Sequence, residues 1–322
     1  MGRKHFPFSI YHLSFVIWKQ SAKAKDRRLK TKLAIENRKS NMSVILSQNN
    51  YGKSRVRLVK VNRSNENHEL KDLNFNIQLE GDFLTVHTEG DNSKVLPTDT
   101  MKNTVYALAR QNDIVEIEKF ALLMTEHFLS NNPQVSRAVV KITEKIWRRI
   151  KVDGKSHPHA FIQCGDEKRA TKIKATREKK IIESGIDDLM VLKTTDSGFV
   201  GFIKDPFTTL PEAADRIFAT VVRAGWIYTS EEIDFGESWN EARRLLIETF
   251  AAHNSLSVQQ TLYAMGERVL NERKEISEIS LSLPNKHCLP VDLSRFEMDN
   301  PNEIFLPVDE PHGLIEATLK RG

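Results

Sequence analysis

The sequence predicts an α+β fold of antiparallel strands with helices on one face. Three observations lead there. In several segments apolar residues alternate with polar ones, the period of a half-buried strand. In others they recur every three or four residues, the period of a packed helix. The two kinds of segment also follow the same order, strand–strand–helix–helix–strand–strand, in each half of the chain. At 322 residues the chain is too long for one ordinary core and about right for two such units.

Residues 54–61 and 74–87 read as strands, the second because Phe75, Ile77 and Leu79 alternate with polar neighbours. A helix is expected near Thr98 or Asp99, either of which can cap it, with Met101, Val105 and Leu108 on one face. Ile114, Ile117, Ala121, Met124 and Phe128 mark a second helix. Asp153-Gly154, between 139–152 and 155–163, is a hairpin signal.

The second half repeats the scheme. Residues 188–204 and 216–228 read as strands. Ser238 with Glu241 three residues on has the spacing of a capping box and predicts a helix start. Ser257 with Gln260 predicts another, whose apolar face is Val258, Leu262, Met265 and Val269. Ile279, Leu281 and Leu283 then alternate through a last long strand. The division that follows is a basic extension at 1–41, a first unit at 42–182 and a second at 183–322. Sheets of this kind leave open edges that must be covered or paired, and oligomerisation is one way to do it.

Charge is unevenly spread. Residues 1–41 hold 11 of the 48 basic residues and two of the 43 acidic ones, so the body stands at −4 although the whole chain stands at +5. The basic balance therefore belongs to the extension, and a net-acidic body argues against a broad nucleic-acid surface. Apolar residues make up 39% and charged residues 28%, which excludes a disordered or collagen-like chain. Two cysteines, Cys164 and Cys288, do not make a disulfide scaffold. No apolar run is long enough to predict a transmembrane helix.

Standard chemical motifs are missing: there is no glycine-rich phosphate loop, no paired-cysteine zinc pattern and no nucleophile elbow. His157 and His159 share a strand face, but one pair is too few ligands for a metal. What remains is a set of short polar clusters far apart in sequence. Each has an ordinary reading alone: Lys53 as a solvated strand residue, Thr98 as a helix cap, Phe199 as core, Arg216 as a surface ion pair, Gln259 as an exposed first-turn residue, His287 as a loop histidine.

Taken together and in order, the clusters resemble the urate oxidase (uricase) family, whose fold is the tunnelling T-fold. The resemblance rests on Tyr51-Gly52-Lys53, Gly90-Asp91-Asn92-Ser93, Thr98-Asp99-Thr100-Met101-Lys102-Asn103, Asp153-Gly154-Lys155, His157-Pro158-His159, Phe207-Thr208-Thr209-Leu210, Ser257-Val258-Gln259, Leu283-Pro284-Asn285-Lys286-His287 and Gly313-Leu314-Ile315. It runs from about Tyr51 to about Ile315 and leaves out the extension. Pro97 and Cys288 depart from the family's usual residues without removing a functional group.

The resemblance implies two tandem ββααββ units whose sheets close into a barrel when subunits pair, two dimers stacking into a homotetramer, and active sites between subunits. It implies cofactor-independent oxidation of urate by O₂, with no metal, to 5-hydroxyisourate and hydrogen peroxide. Lys53, Thr98 and His287 would be catalytic, as a proton relay. Thr98, Asp99, Phe199, Arg216, Val258, Gln259 and Asn285 would bind substrate, and Asn285 with Thr98 would hold O₂ or water. The residue types suit the task. A phenyl ring stacks on a flat purine, a guanidinium clamps an anionic edge, and a primary amide matches alternating N–H and C=O groups. No nucleic-acid or membrane partner is expected. The C-terminal Lys320-Arg321-Gly322 is not a Ser-Lys-Leu-type address, so a cytoplasmic enzyme is expected, with a peroxisomal one as the alternative. Two other readings stay open at this point: a related enzyme acting on a pterin or another purine, and a non-catalytic binding protein.

Overall fold

Strand alternation in the sequence becomes one antiparallel sheet in a computed structural model of the chain, which describes residues 44–322; the basic extension expected at 1–41 lies outside them. The strands are β1 (Tyr51–Asn62), β2 (Glu69–Gly81), β3 (Val135–Val152), β4 (Lys155–Ala175), β5 (Lys180–Lys193), β6 (Phe218–Tyr228), β7 (Ile276–Pro290) and β8 (Phe305–Lys320). They pair in chain order from β1 to β8. The helices are α1 (Leu84–Glu89), α2 (Thr98–Gln111), α3 (Ile117–Asn131), α4 (Phe235–Ala252) and α5 (Val258–Glu272). Apart from the single turn and a half of α1, the order is ββααββ twice over, and the link between the repeats is the turn at 176–179. The 182/183 division expected from sequence falls within β5.

The core follows the predicted faces. Phe75, Ile77 and Leu79 of β2 are buried, as are Met101, Val105 and Leu108 of α2 and Ala121, Met124 and Phe128 of α3. In the second repeat Val258, Leu262, Met265 and Val269 of α5 meet Ile279, Leu281 and Leu283 of β7 in the same cluster. The other side of β2 and β3 is largely polar: Asn76 pairs with Lys141, and Asn74 with Thr143, across the two strands. One buried ion pair ties the repeats together. Arg169 on β4 donates to Glu118 on α3 at 2.7 Å and to the Phe235 carbonyl at the start of α4, while Ser184 on β5 donates to Glu118. Burial pushes the Glu118 carboxyl up; Arg169 and Ser184 oppose that shift and only partly offset it.

Several expected boundaries move, each for a local reason. Residues 84–87 are helical, not extended; α1 is closed by Gly90 in the left-handed region, whose N–H reaches the Thr85 carbonyl. Thr98 and Asp99 do not cap α2. Pro97 holds the cap position without a side-chain bond, and both residues sit in the first turn. Residues 194–204 leave the sheet after β5, turning at Asp196 and Gly201 with positive φ and keeping only single bridges at Ser197 and Phe199. The helix expected at Ser238 starts three residues earlier. Asp234 caps it by accepting from Glu237 N–H, and buried Ser238 donates instead to Glu275 at 2.6 Å. Ser257 caps α5 as expected.

Candidate active site

β6 and β7 build one half of the site. Thr220 lies opposite Asn285 across the pair, so their side chains share a face. Along β7 that face runs from buried Leu281 and Leu283 to Asn285 and His287, where the core gives way to a pocket of about 280 Å³. Phe199, Arg216, Asn285 and His287 line it, with Leu289 and Phe305 on the apolar side. The Arg216 guanidinium stands 5.4 Å from the Phe199 ring centroid, and Phe202 stacks on the same ring at 4.9 Å. Burial lowers the pKa of Arg216. His287 is also lowered, by burial first and then by the charges of Arg216 and His312, so the neutral imidazole is favoured.

The loop after β5 holds these groups in register. Phe199 exchanges two main-chain bonds with Ala213, at 2.7 and 3.1 Å, and Gly198 N–H donates to the Ser255 carbonyl. A Cβ on Gly198 would meet the Ala214 carbonyl at 2.8 Å. Asp215, beside Arg216, accepts from the Thr195 hydroxyl at 2.7 Å and from Ser197 N–H. Buried Ser255 then donates to the Ser257 carbonyl, which ties the start of α5 to the same loop. There Val258 is buried and Gln259 exposed, in the first turn, where main-chain N–H groups lack helical acceptors.

Lys53, Thr98 and Asp99 form a second group. Lys53 is half-buried on β1, next to a break in register between Lys53 and Val56. The strand before it is tightly seated, since a Cβ on Gly52 would lie 1.8 Å from the Ile77 carbonyl. Tyr51 accepts from Leu96 N–H at 2.9 Å and so fixes the chain two residues ahead of Thr98. Asp99 takes bonds from Lys102 at 2.5 Å and Asn103 at 3.0 Å. Its carboxyl is held below the usual range by Lys102 first, with the Lys53 charge adding to the effect.

The structure thus gathers Phe199, Arg216, Asn285 and His287 in one pocket, sets Val258 and Gln259 on the helix end tied to its loop, and puts Lys53 within the field of Asp99 elsewhere. β1 and β7 are six strand steps apart in the sheet, about 29 Å if it were flat. The site residues expected from sequence do not include Asp215, Thr195 or Tyr51, which position the named groups; Asp215 stands next to Arg216 and Tyr51 next to Gly52-Lys53, whereas Thr195 has no such neighbour in the sequence. Among the described residues no three His, Cys, Asp or Glu side chains gather as a metal site, and no helix is long and apolar enough to cross a membrane.

Comparison with known proteins extends this picture. The uricase family profile matches residues 49–174 and 182–316. The uricase of Arthrobacter globiformis is 46% identical over 278 residues, covering 86% of this chain and 90% of that one. The uricase of Dictyostelium discoideum is 41% identical over 280 residues, 86% of this chain and 97% of its own. The crystal structure of the Arthrobacter globiformis uricase superimposes with a TM-score of 0.83 over 87% of this chain and 96% of that one. Profile, sequence and structure agree over nearly all the described residues: the chain belongs to the uricase family.

Proposed function

We propose that the protein converts urate, O₂ and water to 5-hydroxyisourate and hydrogen peroxide without a cofactor, at sites each completed by a second copy within a homotetramer. As a member of the uricase family it is an enzyme that oxidises urate. The observation that carries the finer reading is the pocket in which a partly buried arginine faces a phenyl ring beside Asn285 and His287. A flat anion fits such a place: the ring supplies a stacking platform, the guanidinium a clamp. Gln259 and the Val258 N–H complete the edge contacts from the start of α5. Asn285 holds O₂, and later water, above the ring plane.

Proton removal falls to the second group. Thr98 is too weak a base alone; paired with Lys53 it relays a proton from urate, and His287 extends the relay. Asp99, ion-paired with Lys102, anchors the first turn that presents Thr98. Within one chain Lys53 and His287 belong to strands far apart in the sheet, so the relay closes only when one copy offers its β1 side to the pocket of another. In the reaction two electrons pass from the purine to O₂, water adds as hydroxide at the oxidised ring, and the released protons leave with peroxide.

The test mixes the full chain with urate, chelator present and no added metal, and follows urate absorbance together with oxygen uptake. One O₂ consumed and one peroxide formed per urate is expected. Urate left intact, or lost without oxygen uptake, would overturn the reading.

A further inference from the structure

We propose that Thr220 is a positioning residue for Asn285: its hydroxyl fixes the end of the Asn285 amide that faces the oxygen species in the pocket. The inference rests on the function proposed above. Thr220, near the start of β6, is fully buried, and its hydroxyl has no hydrogen-bond partner among the described residues. Buried polar groups are nearly always paired, so an orphaned hydroxyl beside a ligand pocket points to a partner engaged when the site is in use.

The register names that partner. Thr220 is flanked in the sheet by Val191 on β5 and Asn285 on β7, and only the second carries a polar side chain. Residues directly opposite one another have Cβ atoms about 4.5–5.5 Å apart on the same face. A hydroxyl on one Cβ and an amide one bond further out on the other come within bonding reach of each other. Asn285 lines the pocket, while Thr220 is fully buried and not among the lining residues, so a bond between them would hold the amide from the core side.

A threonine hydroxyl can donate or accept, and the chemistry selects between the two. O₂, and the unprotonated oxygen anion it becomes as electrons arrive, offer only lone pairs to a donor. The Thr220 hydroxyl therefore donates to the Asn285 amide oxygen and leaves the NH₂ group aimed into the pocket. Thr220 touches neither substrate nor oxygen; it acts through Asn285.

Steady-state kinetics of the full chain at varied O₂ and varied urate test this. In Thr220→Val, kcat is expected to fall about three- to tenfold, the range of one neutral hydrogen bond, with a raised KM for O₂. The KM for urate should stay within about twofold, since the anion clamp is untouched. The melting temperature should hold or rise, because valine fills the space without the orphaned hydroxyl. Thr220→Ser should regain most of the rate. In an Asn285→Ala background, Thr220→Val should add no further loss. If valine does not fold there, Thr220→Ala removes the same hydroxyl.

Full activity in Thr220→Val, a serine variant as slow as the valine one, or an equal loss in the Asn285→Ala background would each overturn the proposal. A wild-type chain that leaves urate untouched would instead sink the proposed function, and this inference with it.

Discussion

His287 feels three influences of the same sign. Burial, the Arg216 cation and His312 all disfavour its charged form, burial most. Its pKa in the folded chain therefore lies below the ordinary histidine value of about 6.5, and at neutral pH the ring is uncharged and free to accept a proton. As pH falls through that lowered value the ring charges, next to Arg216, and drops out of the proposed relay. The profile of kcat/KM should thus show an acid limb below the ordinary histidine value, with a plateau above it. His312→Gln removes one opposing charge, so the limb should move to higher pH; an unmoved limb would assign it to another group. Lys53→Met is expected to lower kcat by about 10²–10⁴-fold, the usual worth of a proton-transfer group, while KM for urate changes little. Near-normal turnover in Lys53→Met would remove Lys53 from the relay.

Elements set these residues in place, and the start of β1 does so with the least slack. Gly52 lies so close to the Ile77 carbonyl that any Cβ collides with backbone, and the next residues are Tyr51, which holds Leu96, and Lys53. Gly52→Ala is expected to cost more than about 2 kcal/mol, read as a clear drop in melting temperature. A truncation on the exposed surface away from the sheet edges, such as Val115→Ala between α2 and α3, should leave it nearly unchanged. The elements that were legible in the sequence are those whose period a buried face enforces. Phe75, Ile77 and Leu79 alternate because they lie under helices, and Ser257 caps because its hydroxyl meets the Gln260 N–H. The others misled for physical reasons. Residues 84–87 alternate like a strand but are wound into a short helix. Ser238 has the spacing of a cap but donates to Glu275, and Asp234 takes the cap instead. β8 has no buried residue and so carries no periodic signal at all. The pocket residues had no individual signature; what made Phe199, Arg216, Asn285 and His287 legible was their order along the chain, and what brings them together is the β6–β7 register and the loop bonded to Ser255.

At the scale of the molecule, the two end strands of the sheet, β1 of 12 residues and β8 of 16, each pair on one side only among the described residues. Unpaired edges of that length call for a partner, and the proposed site calls for one too, because its halves lie near opposite ends of the strand order. The two demands are met together if copies join edge to edge. A mixing experiment separates this arrangement from a site held within one chain. Lys53→Met damages the half-site on β1; Arg216→Gln damages the pocket half. Each variant alone should be nearly inactive. If each site takes one half from each of two chains, a mixed pair holds one doubly damaged site and one site with both halves intact. Unfolding and refolding the two variants together in equal amounts makes half the pairs mixed, so activity should return to about a quarter of wild type when assembly is random. A site confined to one chain gives no such recovery, since every chain then carries its own lesion. Recovery after co-refolding, with none when the separately folded variants are simply combined, would show that the catalytic unit is the pair; absence of recovery in a mixture that forms oligomers would place both halves in a single subunit.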